Sequence, residues 1–153
     1  METRSEQIKG EPLIILLVED EPAHAEIVRR NFAGFRMANR LVHVADGQQA
    51  LDYLYHQGEY GEPAQSPRPN LILLDLRLPK VDGLEILEKV KTDPDLCCIP
   101  VVVLTTSSAE ADMIKAYKNK ANSYLVKPVD FPQFMTMMEA LGYYWLAWNE
   151  YPY

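Results

Sequence analysis

Cysteine is nearly missing from this 153-residue chain, and the two that occur, Cys97 and Cys98, are neighbours. Adjacent cysteines exclude a disulfide framework and lack metal-ligand spacing, so two reduced thiols, one of them half-buried before a strand, are expected. No apolar run reaches transmembrane length, and no basic start leads into an apolar stretch, so neither a membrane span nor a signal peptide is expected. These absences together predict a soluble, cytoplasmic protein. Bases are outnumbered, 15 Lys and Arg against 22 Asp and Glu, for a formal net charge of -7. A polyanion would be repelled on average, which argues against nucleic acid as a direct partner. What is present is 48% apolar residues over a length suited to one domain, enough for a single core.

Residues 1–12 are polar and read as a flexible N-terminal segment with little to bury. From there apolar runs alternate with helical stripes. Leu13-Ile14-Ile15-Leu16-Leu17-Val18 is apolar at every position, the pattern of a strand covered on both faces. Pro22 suits a first helical turn, and Ala25, Val28, Arg29 and Phe32, with Ile27 alongside, form a stripe that Gly34 ends. Leu41 to Val44 reads as a second strand, before a helix capped by Asp46 that turns Ala50, Leu51 and Leu54 inward. Gly58, Gly61, Pro63, Pro67 and Pro69 make His56 to Asn70 a long surface loop. Leu71 to Leu74 is the third strand; after Asp82-Gly83 a helix presents Leu84, Leu87 and Val90 until Asp93-Pro94. Val101 to Leu104 is the fourth strand, and Ser107-Ser108-Ala109-Glu110 has the capping-box spacing that opens a helix bearing Met113, Ile114 and Tyr117. Ser123 to Val126 is the fifth strand, and Asp130 caps a last helix carrying Phe134, Met135, Met138 and Leu141. This alternation predicts an α/β fold over residues 13–142: a doubly wound, five-stranded parallel sheet, flavodoxin-like, in the order 2-1-3-4-5.

Ligands of such sheets bind at the carboxyl ends of the strands, beside the point where the chain reverses direction. Glu19 and Asp20 follow the first strand, Asp75 the third, Thr105 ends the fourth and Lys127 follows the fifth. Carboxylates crowded into one pocket repel each other unless a cation compensates. Oxygen donors without histidine or thiolate select a hard ion, and the few carboxylates leave room for waters and a phosphate oxygen, which favours Mg2+ over calcium. On this reading Asp20 and Asp75 ligate directly, Glu19 through water, and the Arg77 backbone carbonyl completes the set. Asp75 is then a nucleophile toward phosphorus, Lys127 a second cation on the transferring group, and Thr105 a hydroxyl that turns toward it once it is there. Pro128 makes the Lys127–Pro128 bond a candidate cis peptide that would aim the lysine inward. Each residue alone also fits a plainer role: helix N-terminal acids, turn chemistry around Pro79 and Asp82-Gly83, an ordinary strand threonine. Their order along five strands is what favours one shared site.

Glu19-Asp20, Asp75 with Pro79 and Asp82-Gly83, Leu104-Thr105-Thr106, Tyr124 and Lys127-Pro128 together resemble the receiver domain of two-component response regulators over Leu13 to Leu141. The resemblance implies that Asp75 accepts a phosphoryl group from a histidine kinase, with magnesium at Glu19 and Asp20. It also implies that Thr105 and Tyr124 relay the change to the face of the fourth helix, fifth strand and fifth helix. Arg77 departs from the shorter residues, often asparagine, that relatives carry two positions after the acceptor.

Residues 143–153 form an aromatic tail with both tryptophans and Tyr143, Tyr144, Tyr151 and Tyr153. So much aromatic surface is expected either to fold back on its own domain or to be covered in a homodimer. The long Gly/Pro loop and the Tyr144-Trp145-Leu146-Ala147-Trp148-Asn149-Glu150 ending resemble the small stand-alone response regulators of cyanobacterial and bacterial phytochromes, which dimerise through the late-helix face and tail. Alternatives are a magnesium-dependent phosphatase or phosphotransferase, a flavin- or nucleotide-binding module, and a receiver-like adaptor that is never phosphorylated. The first lacks a second acid at Arg77, and the second lacks a phosphate-binding loop at Glu19-Asp20-Glu21.

Overall fold

The computed structural model describes residues 12–35 and 37–151. The N-terminal segment anticipated over residues 1–12 therefore lies almost wholly outside the described residues, as do Arg36, Pro152 and Tyr153.

The continuously apolar runs become the inner parallel strands, with helices on both faces to bury them, and two partly polar, half-exposed strands pair at the sheet edges. They are β1 (Leu13–Val18), β2 (Asn39–Val44), β3 (Leu71–Leu74), β4 (Val101–Thr105) and β5 (Ser123–Val126), in the sheet order β2-β1-β3-β4-β5. The helices are α1 (Pro22–Ala33), α2 (Gly47–Tyr55), α3 (Gly83–Thr92), α4 (Glu110–Lys118) and α5 (Phe131–Gly142). The loop before β3 holds two short 3-10 turns, Gly58–Tyr60 and Pro63–Gln65. Its Ser66 is buried, and the Ser66 hydroxyl donates to the Tyr60 carbonyl at 3.1 Å.

Alternate residues of each strand divide between two cores. Leu16 and Val18 join Ile72, Leu74, Val101 and Val103 under α2, α3 and α4, whereas Leu13, Ile15 and Leu17 join Leu71, Leu73, Val102 and Leu104 under α1 and α5. Each such side chain contributes about 1.5–3 kcal/mol by burial. The central strand β3 has all four residues buried, as β4 has all five, so Asp75 leaves an enclosed part of the sheet.

Asp46, Asp82 and Asp130 cap α2, α3 and α5 through their side chains, as their positions predict. α4 differs from expectation. Its N-cap is Ala109 with no side-chain bond, and the Ser107 hydroxyl donates to Asp112 Oδ2 instead, so the capping box does not form. The expected inward stripe is also displaced: Asp112 and Ala116 are the buried positions, while Ile114 and Tyr117 face outward. The polar contact of Asp112 sets the rotation of this nine-residue helix, and small Ala116 lets it approach the sheet.

The tail divides. α5 runs on into a π-helical turn, Tyr143–Trp148, from which Trp145 and Leu146 pack into the α1/α5 core with Tyr151. The Tyr151 hydroxyl donates to the Trp145 carbonyl at 2.7 Å. Tyr143, Tyr144 and Trp148 remain exposed, Trp148 to 79%.

Candidate functional site

Parallel register brings the ends of β1, β3, β4 and β5 to one edge. Backbone ties set the acids there: the Asp75 N–H donates to the Val18 carbonyl at 3.1 Å, and the Glu19 N–H to the Val44 carbonyl at 3.1 Å. One oxygen from each of Glu19, Asp20 and Asp75 lies within 4.8 Å of the others, with Glu19 and Asp75 buried and Asp20 exposed at the mouth. This oxygen-only set fits a small hard divalent cation, with room left for waters. The Arg77 carbonyl accepts no hydrogen bond among the described residues. The Arg77 N–H donates to Asp75 Oδ1 at 3.3 Å.

Lys127 enters from β5, its N–H donating to the Thr105 carbonyl at 2.7 Å. Its side chain is 1% exposed, and Nζ reaches Glu19 Oε2 at 2.5 Å and Asp75 Oδ2 at 2.9 Å. No cis peptide occurs among the described residues, so the Lys127–Pro128 bond is trans. The cis bond that the sequence suggests is not needed, because strand register and the two carboxylates aim the lysine inward. Burial pushes the Glu19 carboxyl up to about 7, against the opposing pull of Lys127.

Thr105 is fully buried, and its Oγ1 accepts from the Ser107 N–H at 3.3 Å. The Tyr124 hydroxyl donates to the Ser107 carbonyl at 2.8 Å. Thr105 and Tyr124 therefore meet on one residue of the β4–α4 loop. The Arg77 guanidinium, whose role the sequence leaves open, donates through Nη2 to Asp112 Oδ2 at 2.5 Å. The Ser107 hydrogen bond first, then the Arg77 charge, hold the Asp112 carboxyl below its usual range.

Residue reasoning missed His24, Asp112 and Ser107. His24 Nδ1 accepts from Lys127 Nζ at 3.1 Å and lies 3.6 Å from Glu19 Oε1. Burial first, then the nearby Lys127 charge, lowers its pKa, in keeping with a neutral ring that takes a lysine proton as an acceptor. His24 lies in the first turn of α1, just after Glu19-Asp20-Glu21, which brings it near the acids, but its contact with Lys127 has no local signal. None existed for the Arg77–Asp112 pairing, which spans 35 residues of sequence.

Residues 15–139 match the family model described as the response regulator receiver domain. The chain belongs to the response regulator receiver domain family. This receiver is 46% identical over 143 residues to the probable methanogenesis regulatory protein FilR2 of Methanothrix harundinacea, covering 93% of this chain and 89% of the relative. It is 44% identical over 135 residues to response regulator Rcp1 of Synechocystis sp., covering 88% and 90%. The solved Mn2+-bound form of Rcp1 aligns with a TM-score of 0.89 over 93% of this chain and all of that one, at 43% identity. The phosphorylated cyanobacterial phytochrome response regulator RcpA aligns with a TM-score of 0.88 at 38% identity, over 94% of this chain and 100% of that one. Receiver domains bind a divalent metal and take a phosphoryl group from a kinase, and the acid set of this receiver has the chemistry for both.

Proposed function

We propose that Asp75 is the phosphoacceptor of a two-component signalling protein, that the donor is a phosphohistidine of a histidine kinase of the phytochrome type, and that the cofactor is Mg2+. The observation that carries the reading is the buried Lys127 ammonium joining Glu19 and Asp75 across three strand ends. In the transfer an Asp75 carboxylate oxygen bonds to phosphorus while the phosphorus–nitrogen bond to the kinase histidine breaks, leaving an acyl phosphate. Lys127 stays beside the transferring oxygens and offsets their charge. A magnesium ion held by Glu19, Asp20, Asp75 and the Arg77 carbonyl would supply further neutralisation of that group. Thr105 turns its hydroxyl to the phosphoryl group, withdraws from Ser107, and so moves the loop that Tyr124 holds. The likeness to Rcp1 and RcpA supports the phytochrome kinase.

The output reading is a homodimer in the cytoplasm through α4, β5, α5 and the tail. It is supported by the exposed apolar side chains Ile114, Tyr117, Val126, Tyr144 and Trp148 along those elements.

Intact mass after incubation with acetyl phosphate tests the acceptor. A magnesium-dependent gain of one phosphoryl group, absent with chelator and absent in Asp75→Asn, is expected; full labelling of Asp75→Asn would overturn it.

A further inference from the structure

Arg77 carries a guanidinium into the neighbourhood of the acceptor, yet in this structure it is turned onto another partner. Its side chain is 62% exposed, and Nη2 reaches from the β3–α3 loop to Asp112 Oδ2 in the first turn of α4. The same carboxylate oxygen accepts the Ser107 hydroxyl at 2.6 Å. Ser107 in turn holds Thr105 through its N–H and Tyr124 through its carbonyl. A single buried carboxylate thus ties the loop of the acceptor to the loop of the threonine that must move.

Building on the reading of Asp75 as acceptor, we propose that Arg77 is a latch with two mutually exclusive partners, Asp112 in the resting protein and the phosphoryl oxygens once Asp75 is phosphorylated. The Arg77 N–H already touches Asp75 Oδ1, so a phosphoryl group on that carboxylate adds charge within one side-chain length of the guanidinium. A phosphoryl group offers more charge than one carboxylate oxygen and accepts a guanidinium bidentately. The exchange removes one of the two ties on Asp112 in the same step in which Thr105 leaves Ser107. The latch and the threonine therefore release one loop together. The Asp112 pairing of the resting state must be given up for the phosphoryl group to take Arg77, which lowers the apparent affinity of the site for that group.

The test is a double-mutant cycle read with beryllofluoride, a phosphoryl mimic, in saturating magnesium. Its affinity is followed through the amide signals of Thr105 and Ser107 by NMR in the wild type, Asp112→Asn, Arg77→Ala and the double variant. Asp112→Asn is expected to tighten binding on the order of tenfold when Arg77 is present, and to change it by less than about twofold in the Arg77→Ala background. Removing a negative charge near an anion also tightens binding, but that effect is the same in both backgrounds. Equal gains in the two backgrounds, or no gain with Arg77 present, would overturn the latch while leaving the acceptor reading intact. A wild type that does not bind beryllofluoride in magnesium would overturn the acceptor reading and the latch with it. Should Asp112→Asn fail to fold, Asp112→Ser carries the same cycle.

Discussion

Lys127 is the residue on which the acid site turns, because its ammonium is nearly inaccessible to water and touches two carboxylates from two other strands. Lys127→Ala leaves Glu19 and Asp75 buried with no fixed cation. The metal-free variant is expected to lose on the order of 3 kcal/mol of stability, part of it recovered as Glu19 takes up a proton and more on adding magnesium; denaturant melts in chelator and in magnesium measure both. Glu19 also makes metal binding pH-dependent. With its pKa raised from 4.5 to about 7 in the metal-free protein, the ligand is protonated below that value and a cation must displace the proton. Magnesium affinity should therefore rise between pH 6 and 8, by up to about tenfold per unit below 7, and calorimetric titration of Glu19→Gln should show a flatter profile.

At the scale of the element, what matters is how closely α3 can approach the end of β3. A Cβ added at Gly83 would lie 2.2 Å from the Asp75 carbonyl oxygen and 2.6 Å from the Leu76 Cα. Both are backbone atoms, which cannot swing aside as a side chain would. Gly83→Ala is expected to cost about 1–3 kcal/mol and, by shifting the acceptor strand end, to slow labelling by acetyl phosphate; an unchanged melt and labelling rate would show that α3 shifts instead. α4 makes the opposite point. Its seat depends on Asp112, Ser107 and Arg77, and with Ile114 and Tyr117 outside the core it is the helix with the smallest apolar hold on the sheet. A helix held by exchangeable polar contacts is the one free to respond when those contacts change partners.

For the whole molecule, the aromatic tail is divided between core and surface. Trp145 is buried with Leu146 and Tyr151 in the α1/α5 core, while Trp148 and Tyr144 project from the surface. Trp145→Ala should lower stability by about 3–5 kcal/mol. Trp148→Ser, at a side chain 79% exposed, should leave the melt within about 0.5 kcal/mol yet shift the proposed dimer toward monomer in size-exclusion scattering. An unaltered mass distribution would remove the tail from the dimer contact. Of the two expectations for the tail, folding back holds for Trp145, Leu146 and Tyr151, while Tyr143, Tyr144 and Trp148 stay exposed.

Strand runs, capping acids and the five separated motifs were legible in the chain itself, because each rests on local chemistry: a run apolar on both faces, an Asp before a helix, a charge at a strand end. Those signals sufficed for the sheet order and for the meeting of Glu19, Asp20 and Asp75, since topology alone carries strand ends to one edge. What had no local signature was the partner of each polar side chain. The pairing of Arg77 with Asp112 and the seat of His24 against Lys127 join residues 35 and 103 positions apart, and the turn of Ser107 onto Asp112 follows from where α4 sits. Only the folded structure decides these, because a hydrogen bond forms where geometry permits, and that geometry is created by packing α4 and β5 against the sheet.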